Sequence, residues 1–70
     1  MSYDHVIQRA KERLNLSLTE WDCEILSRMI QEGECEPLHD TVFAICYKHR
    51  IFKVAYSKKK HAVTTIMKID

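Results

Sequence analysis

The chain reads as an α+β domain: two N-terminal helices packed on one face of a three- to four-stranded antiparallel sheet, in the order ααβββ. Three observations predict this. Apolar residues recur at helical spacing before Gly33 and at alternate positions after it. The only Gly (Gly33) and the only Pro (Pro37) sit together at the change of period. The later apolar runs are separated by short polar turns, which can join only antiparallel neighbours. Seventy residues make one domain, 1–70. A chain this short buries only about 60% of its unfolded surface. A bare meander of that size would be marginal, so the helices should cover one sheet face and leave the other open.

The first helix is expected from Tyr3 to Leu14. Tyr3, Val6, Ile7, Ala10 and Leu14 form one apolar stripe, while His5, Arg9 and Arg13 line up four apart on another face. Asn15 is a natural stop. Ser17 and Glu20 have capping-box spacing, and Thr19 is a competing N-cap with Leu18 and Cys23 placed for a hydrophobic staple. The second helix should run to about Glu32 on a stripe of Trp21, Ile25, Leu26, Met29 and Ile30, ended by Gly33 in the left-handed region.

Beyond Gly33, residues 34–38 make at most an edge strand, because Pro37 lacks an N–H. Thr41 to Tyr47 puts Phe43, Ile45 and Tyr47 on one face and Val42, Ala44 and Cys46 on the other. Lys48-His49-Arg50 is a turn, and Ile51 to Ser57 puts Phe52, Val54 and Tyr56 together with Lys53 facing the open side. Lys58-Lys59-Lys60 is a second turn, and Ala62 to Ile69 is the last strand. Core packing is expected for Trp21, Phe43 and Phe52, with Tyr47 and Tyr56, near strand ends, the aromatic residues freest to stack on a base.

A hydrophobic content of 46% with 30% charged residues is globular composition, not that of a disordered chain. No apolar run approaches the roughly 18 residues of a spanning helix. The first residues lack a basic and then apolar leader, so a cytoplasmic protein without a membrane partner is expected. Cys23, Cys35 and Cys46 are an odd set without scaffold spacing and read as buried free thiols. Cys35, His39, Cys46 and His49 do not have standard zinc spacing, and neither metal nor other cofactor is expected.

The net charge of +1 hides an asymmetry. Residues 1–35 carry −3 and residues 36–70 carry +4, with seven Lys/Arg and no Asp or Glu from Thr41 to Lys68. Such a stretch attracts phosphate backbones or an acidic protein.

Several segments together resemble a known pattern: His5-Val6-Ile7-Gln8-Arg9-Ala10-Lys11-Glu12-Arg13, then Ile30-Gln31-Glu32-Gly33, then Lys53-Val54-Ala55-Tyr56-Ser57-Lys58 and Ala62-Val63-Thr64-Thr65-Ile66. The chain is similar in these to the RelE/BrnT-type toxin-like proteins, within the barnase–EndoU–colicin–RelE group of small ribonuclease folds. The resemblance implies an RNA-directed protein, a metal-independent toxin ribonuclease with an antitoxin as partner. It places His5, Arg9, Lys53 and Thr64 as catalytic candidates. Cleavage of this kind needs a base at the ribose 2′-OH, an acid at the leaving oxygen and cations at the phosphate, roles that suit His, Arg and Lys. Arg13, Lys48, His49, Arg50, Lys58, Lys59, Lys60 and His61 are the candidates for binding RNA or an acidic partner.

A second reading stays open. A cut-down relative of the kind a phage or mobile element carries could keep the fold without the activity. It would be a non-enzymatic inhibitor, docking on a host protein through its basic sheet face or an edge strand, and the edge strand could also form a homodimer.

Overall fold

The computed structural model describes residues 3–69 and has the expected architecture. Helix α1 spans Asp4–Leu14 and helix α2 spans Glu20–Gln31. Strands β1 (Glu36–Pro37), β2 (Val42–Tyr47), β3 (Arg50–Ser57) and β4 (Ala62–Met67) form one antiparallel meander in the order β1-β2-β3-β4.

Local chemistry sets the helix ends. Asn15 closes α1 at φ 51°, its N–H bonding to the Lys11 carbonyl. Of the two caps open in the sequence, Thr19 is the one used. Its hydroxyl accepts from the Asp22 N–H at 3.1 Å, and Asp22 returns the bond to the Thr19 N–H at 2.9 Å. Leu18 and Cys23, the staple positions, are both buried. Gly33 at φ 77° ends the helix, with bonds from Gly33 N–H to the Ile30 carbonyl and from Glu34 N–H to the Met29 carbonyl. These are the two bonds of a Schellman motif.

The core lies between the helices and one sheet face. Val6, Ala10 and Leu14 of α1 and Cys23, Leu26 and Ile30 of α2 meet Ile45, Phe52, Val54, Tyr56, Val63 and Ile66. Two expectations fail here. Trp21 is 66% exposed, because the buried face of α2 is centred on Cys23, Leu26, Ser27 and Ile30 and the indole falls outside it. Tyr56 is buried, not free for stacking. Its ring meets Phe43 edge-on, and its hydroxyl accepts from Gln31 Nε2 at 2.9 Å.

Both helices rest on β4, and α1 follows it closely. That strand carries a β-bulge: Ala55 pairs with Thr65 and Tyr56 with Val63, so Thr64 is an extra residue. Helix side chains satisfy the β4 backbone. Ser27 Oγ accepts from the Val63 N–H at 3.1 Å while donating to the Cys23 carbonyl at 2.9 Å. Arg13 Nη1 donates to the Ile66 carbonyl at 3.1 Å.

The β2–β3 connection is a two-residue hairpin in which Lys48 (φ 52°) and His49 (φ 63°) are both left-handed. Glycine and asparagine normally fill these places, and other residues carry a penalty of about 1 kcal/mol or more each.

Two stability predictions follow from this backbone chemistry. Ser27→Ala leaves the buried Val63 N–H without an acceptor and should lower unfolding free energy by about 1–3 kcal/mol. Urea denaturation should show the midpoint falling at unchanged slope. His49→Gly should raise stability by about 1 kcal/mol in the same assay, because glycine takes the turn conformation without strain.

Candidate docking face

The sheet alternates its side chains, so burying Ile45, Phe52, Val54, Val63 and Ile66 under the helices, with Phe43 half-buried beside them, turns a second set outward. The register arranges that set in rows. Glu36, Ala44, Lys53 and Met67 lie side by side across the four strands. Val42, Ala55 and Thr65 form the next row, and Cys46 stands beside Ile51. No element of the described chain covers this face. Ile51 is 65% exposed, and Val42, Ala44, Ala55 and Met67 are half-buried. Lys53 is the single charged group on the outward positions of β2, β3 and β4, and its stem lies among small and apolar neighbours.

Cys46 belongs to this face and is exposed, and Cys35 is half-buried. Of the three thiols expected to be buried, only Cys23 is, and burial pushes it up to about 11, as do the nearby carboxylates. The cause for Cys46 is its position in the outward set of a strand whose other face holds the core.

The catalytic candidates divide between the two sides of the sheet. His5 and Arg9 lie on α1, which packs on the core side, whereas Lys53 points from the opposite side. His5 is exposed, and Arg9 Nη1 pairs with Glu12 Oε1 at 2.9 Å. Thr64 occupies the bulge, half-buried, and donates to the Ala55 carbonyl through a long 3.4 Å contact.

The binding candidates do not form one basic surface either. Lys48, His49 and Arg50 sit at one end of the hairpin and Lys58, Lys59, Lys60 and His61 at the other. Strand β3 has eight residues, so these ends are roughly 25 Å apart at ~3.3 Å per residue. Three cations at or near the first end hold the fold together. Arg50 Nη2 donates to the Leu14 carbonyl at 2.8 Å, closing the C-terminus of α1. Arg13 holds β4, and Lys48 Nζ lies 3.2 Å from Asp22. Lys58, Lys59, Lys60 and His61 are exposed. The turn that carries them is braced from below by a bond from Lys60 N–H to Ser57 Oγ and by Gln31 Nε2 on the His61 carbonyl.

Asp22 is the group that sequence reading did not single out. It is 5% exposed and takes hydrogen bonds from Thr19 N–H, Thr19 Oγ1 (3.0 Å), Tyr47 Oη (2.5 Å) and Lys48 Nζ. Burial works to raise its pKa, but the bonds from Tyr47, Thr19 and Lys48 outweigh it and hold the carboxyl at about 2. Burial and the same carboxylate push Tyr47 up to about 12. An aspartate three residues after a threonine N-cap was the visible signal; its strand partners were not.

Among the described residues no three His, Cys, Asp or Glu side chains come together as a metal site, and no helix is long and apolar enough to cross a membrane. Cys35, His39, Cys46 and His49 thus do not assemble into such a set. Compared with protein-family models, curated proteins and solved structures, the chain matches none of them.

The Asp22 carboxyl ionises more readily folded than unfolded, from 3.8 down to about 2. Its contribution is therefore present in full above pH 4 and is lost as pH falls through 2. A shift of that size corresponds to about 2 kcal/mol. Denaturation across this range should show that loss for the wild type, and Asp22→Asn should remove this component.

Proposed function

We propose that this chain is a non-enzymatic binding protein that docks another protein on the open face of its sheet. The partner surface it fits is apolar and flat enough to lie on small side chains, with a carboxylate set to meet Lys53. The observation that carries this reading is the outward lattice itself, where one lysine stands in the middle of small and apolar residues. Docking there would cover Ile51, Met67 and the aliphatic part of Lys53, and it would pair a cation that has no bond to any other described residue. The reading is further supported by the separation of His5 and Arg9 from Lys53 by the thickness of the sheet. Proton-transfer groups and a phosphate-binding cation would have to converge within hydrogen-bond reach of one substrate.

A second reading, contact with a phosphate backbone such as RNA, is favoured by one observation. Lys58, Lys59, Lys60 and His61 are consecutive and exposed, and none has a side-chain bond to a described residue. A few point charges on a single turn give sequence-independent attraction that falls steeply with salt.

Induction in bacteria should leave growth and RNA intact, with no difference between the wild type and a His5→Ala/Arg9→Ala variant. Growth arrest with RNA cleavage, relieved by that variant, would restore the toxin ribonuclease reading and sink this one. In binding assays against any candidate partner, Lys53→Glu should weaken the complex about tenfold or more, while Lys59→Ala/Lys60→Ala should leave it nearly unchanged.

A further inference from the structure

The chain's own open face has the chemistry that its docking reading calls for. The row Glu36–Ala44–Lys53 places a carboxylate and an ammonium one strand to either side of Ala44, with small residues between them. Neighbouring strands are about 4.8 Å apart, so the two charges stand roughly 10 Å from each other within one chain. Neither has a hydrogen bond or ion pair to another described residue, and Glu36 is exposed.

We propose that the occupant of the open face is a second copy of this chain, packed sheet to sheet about a two-fold axis that runs along β2 over Ala44. This rests on the docking reading above. Rotation about such an axis exchanges the β1 and β3 columns while preserving position along the strands. Glu36 of each copy then lies opposite Lys53 of the other, and the pairing occurs twice, as an isologous interface requires. Sheets stack about 10 Å apart, a gap that an extended Lys and Glu together span. Along the axis, Ala44 and Val42 meet their own copies, which are small enough to let the sheets approach. Cys46, two residues further along the strand and exposed, meets its own copy as well.

The size of the face determines the strength. About this axis three strand columns overlap, β1 with β3, β2 with itself and β3 with β1, while β4 lies outside; at ~4.8 Å spacing and about six residues at ~3.3 Å they give roughly 300 Å² of projected area. That is below the ~800 Å² per partner of a standard stable interface, so association belongs to the weak, transient class. The charge pairs, which flank the β2 column on both sides, then set specificity more than affinity.

The test is sedimentation of the full chain from low micromolar to near-millimolar concentration. The wild type should pass from monomer to dimer within that range. Lys53→Glu and Glu36→Lys should each weaken dimerisation about tenfold or more, because each turns two attractions into two repulsions. The double variant Glu36→Lys/Lys53→Glu should restore the dimer. Restoration separates reciprocal pairing from a general effect of altered charge. In a Cys35→Ser background, a short bis-maleimide should link the chain through Cys46, and Lys53→Glu should abolish the link. Circular dichroism confirms that each variant is folded. A chain that stays monomeric throughout overturns the second copy as occupant and leaves docking on other proteins to the Lys53→Glu binding assay. A dimer indifferent to the single reversals, or not recovered in the double variant, overturns the proposed interface.

Discussion

The carboxylate of Asp22 is the joint between the helical layer and the sheet. It completes the capping box at the start of α2, and it takes bonds from Tyr47 and Lys48 at the β2–β3 hairpin. A buried ionised carboxyl is tolerable only when its oxygens are satisfied by donors, and here four donors from two elements converge on it. The same bonds fix where the helix begins and which end of the sheet it begins over. They also hold down a hairpin whose two turn residues are both in the left-handed region. Its strain is thus tolerated within a network that specifies the turn from outside.

The opposite end of α2 and the whole of α1 complete what Asp22 starts. The bulge at Thr64 breaks the regular pairing of β4, and Ser27 takes the Val63 N–H from the core side. Arg13 caps the Ile66 carbonyl, and Arg50 caps the end of α1. The backbone groups most in need of partners are therefore met by side chains from far along the chain. This has a functional consequence. Arg13, Lys48 and Arg50 hold the structure together, and in the basic half of the chain the other Lys residues are Lys53 on the open face, the lysines of the β3–β4 turn and the exposed Lys68. Charge that looks like one basic half in the sequence is divided in space into structural, facial and terminal parts.

The site was legible to differing degrees. Strand alternation already put Lys53 on the side away from Phe52 and Val54, and the sheet bears that out. Alternation likewise placed Val42, Ala44 and Cys46 together, although the thiol of Cys46 was expected in the core. Periodicity assigns residues to faces without saying which face is covered, and only the position of the helices settles that. Trp21 shows the complementary error. Hydrophobicity alone put its indole on the buried stripe, whereas the polar Asp22 and Ser27 occupy that place because each satisfies backbone or hairpin groups that an indole could not.

The amino-acid sequence by itself determined the element order, the helix ends at Asn15 and Gly33, the hairpins and the alternation of the strands. These follow from local rules: periods of about 3.6 and 2, left-handed stops and caps, all acting within a few residues. Only the tertiary structure decided which cap Asp22 serves beyond its own helix, which cations are consumed, and that His5 and Lys53 stand on opposite sides of the sheet. Those outcomes depend on bonds such as Arg13 to Ile66 and Arg50 to Leu14, whose partners are distant in the chain and meet only when the layers pack. A buried polar group takes whichever donor or acceptor the fold brings within about 3 Å, and sequence spacing does not encode that distance.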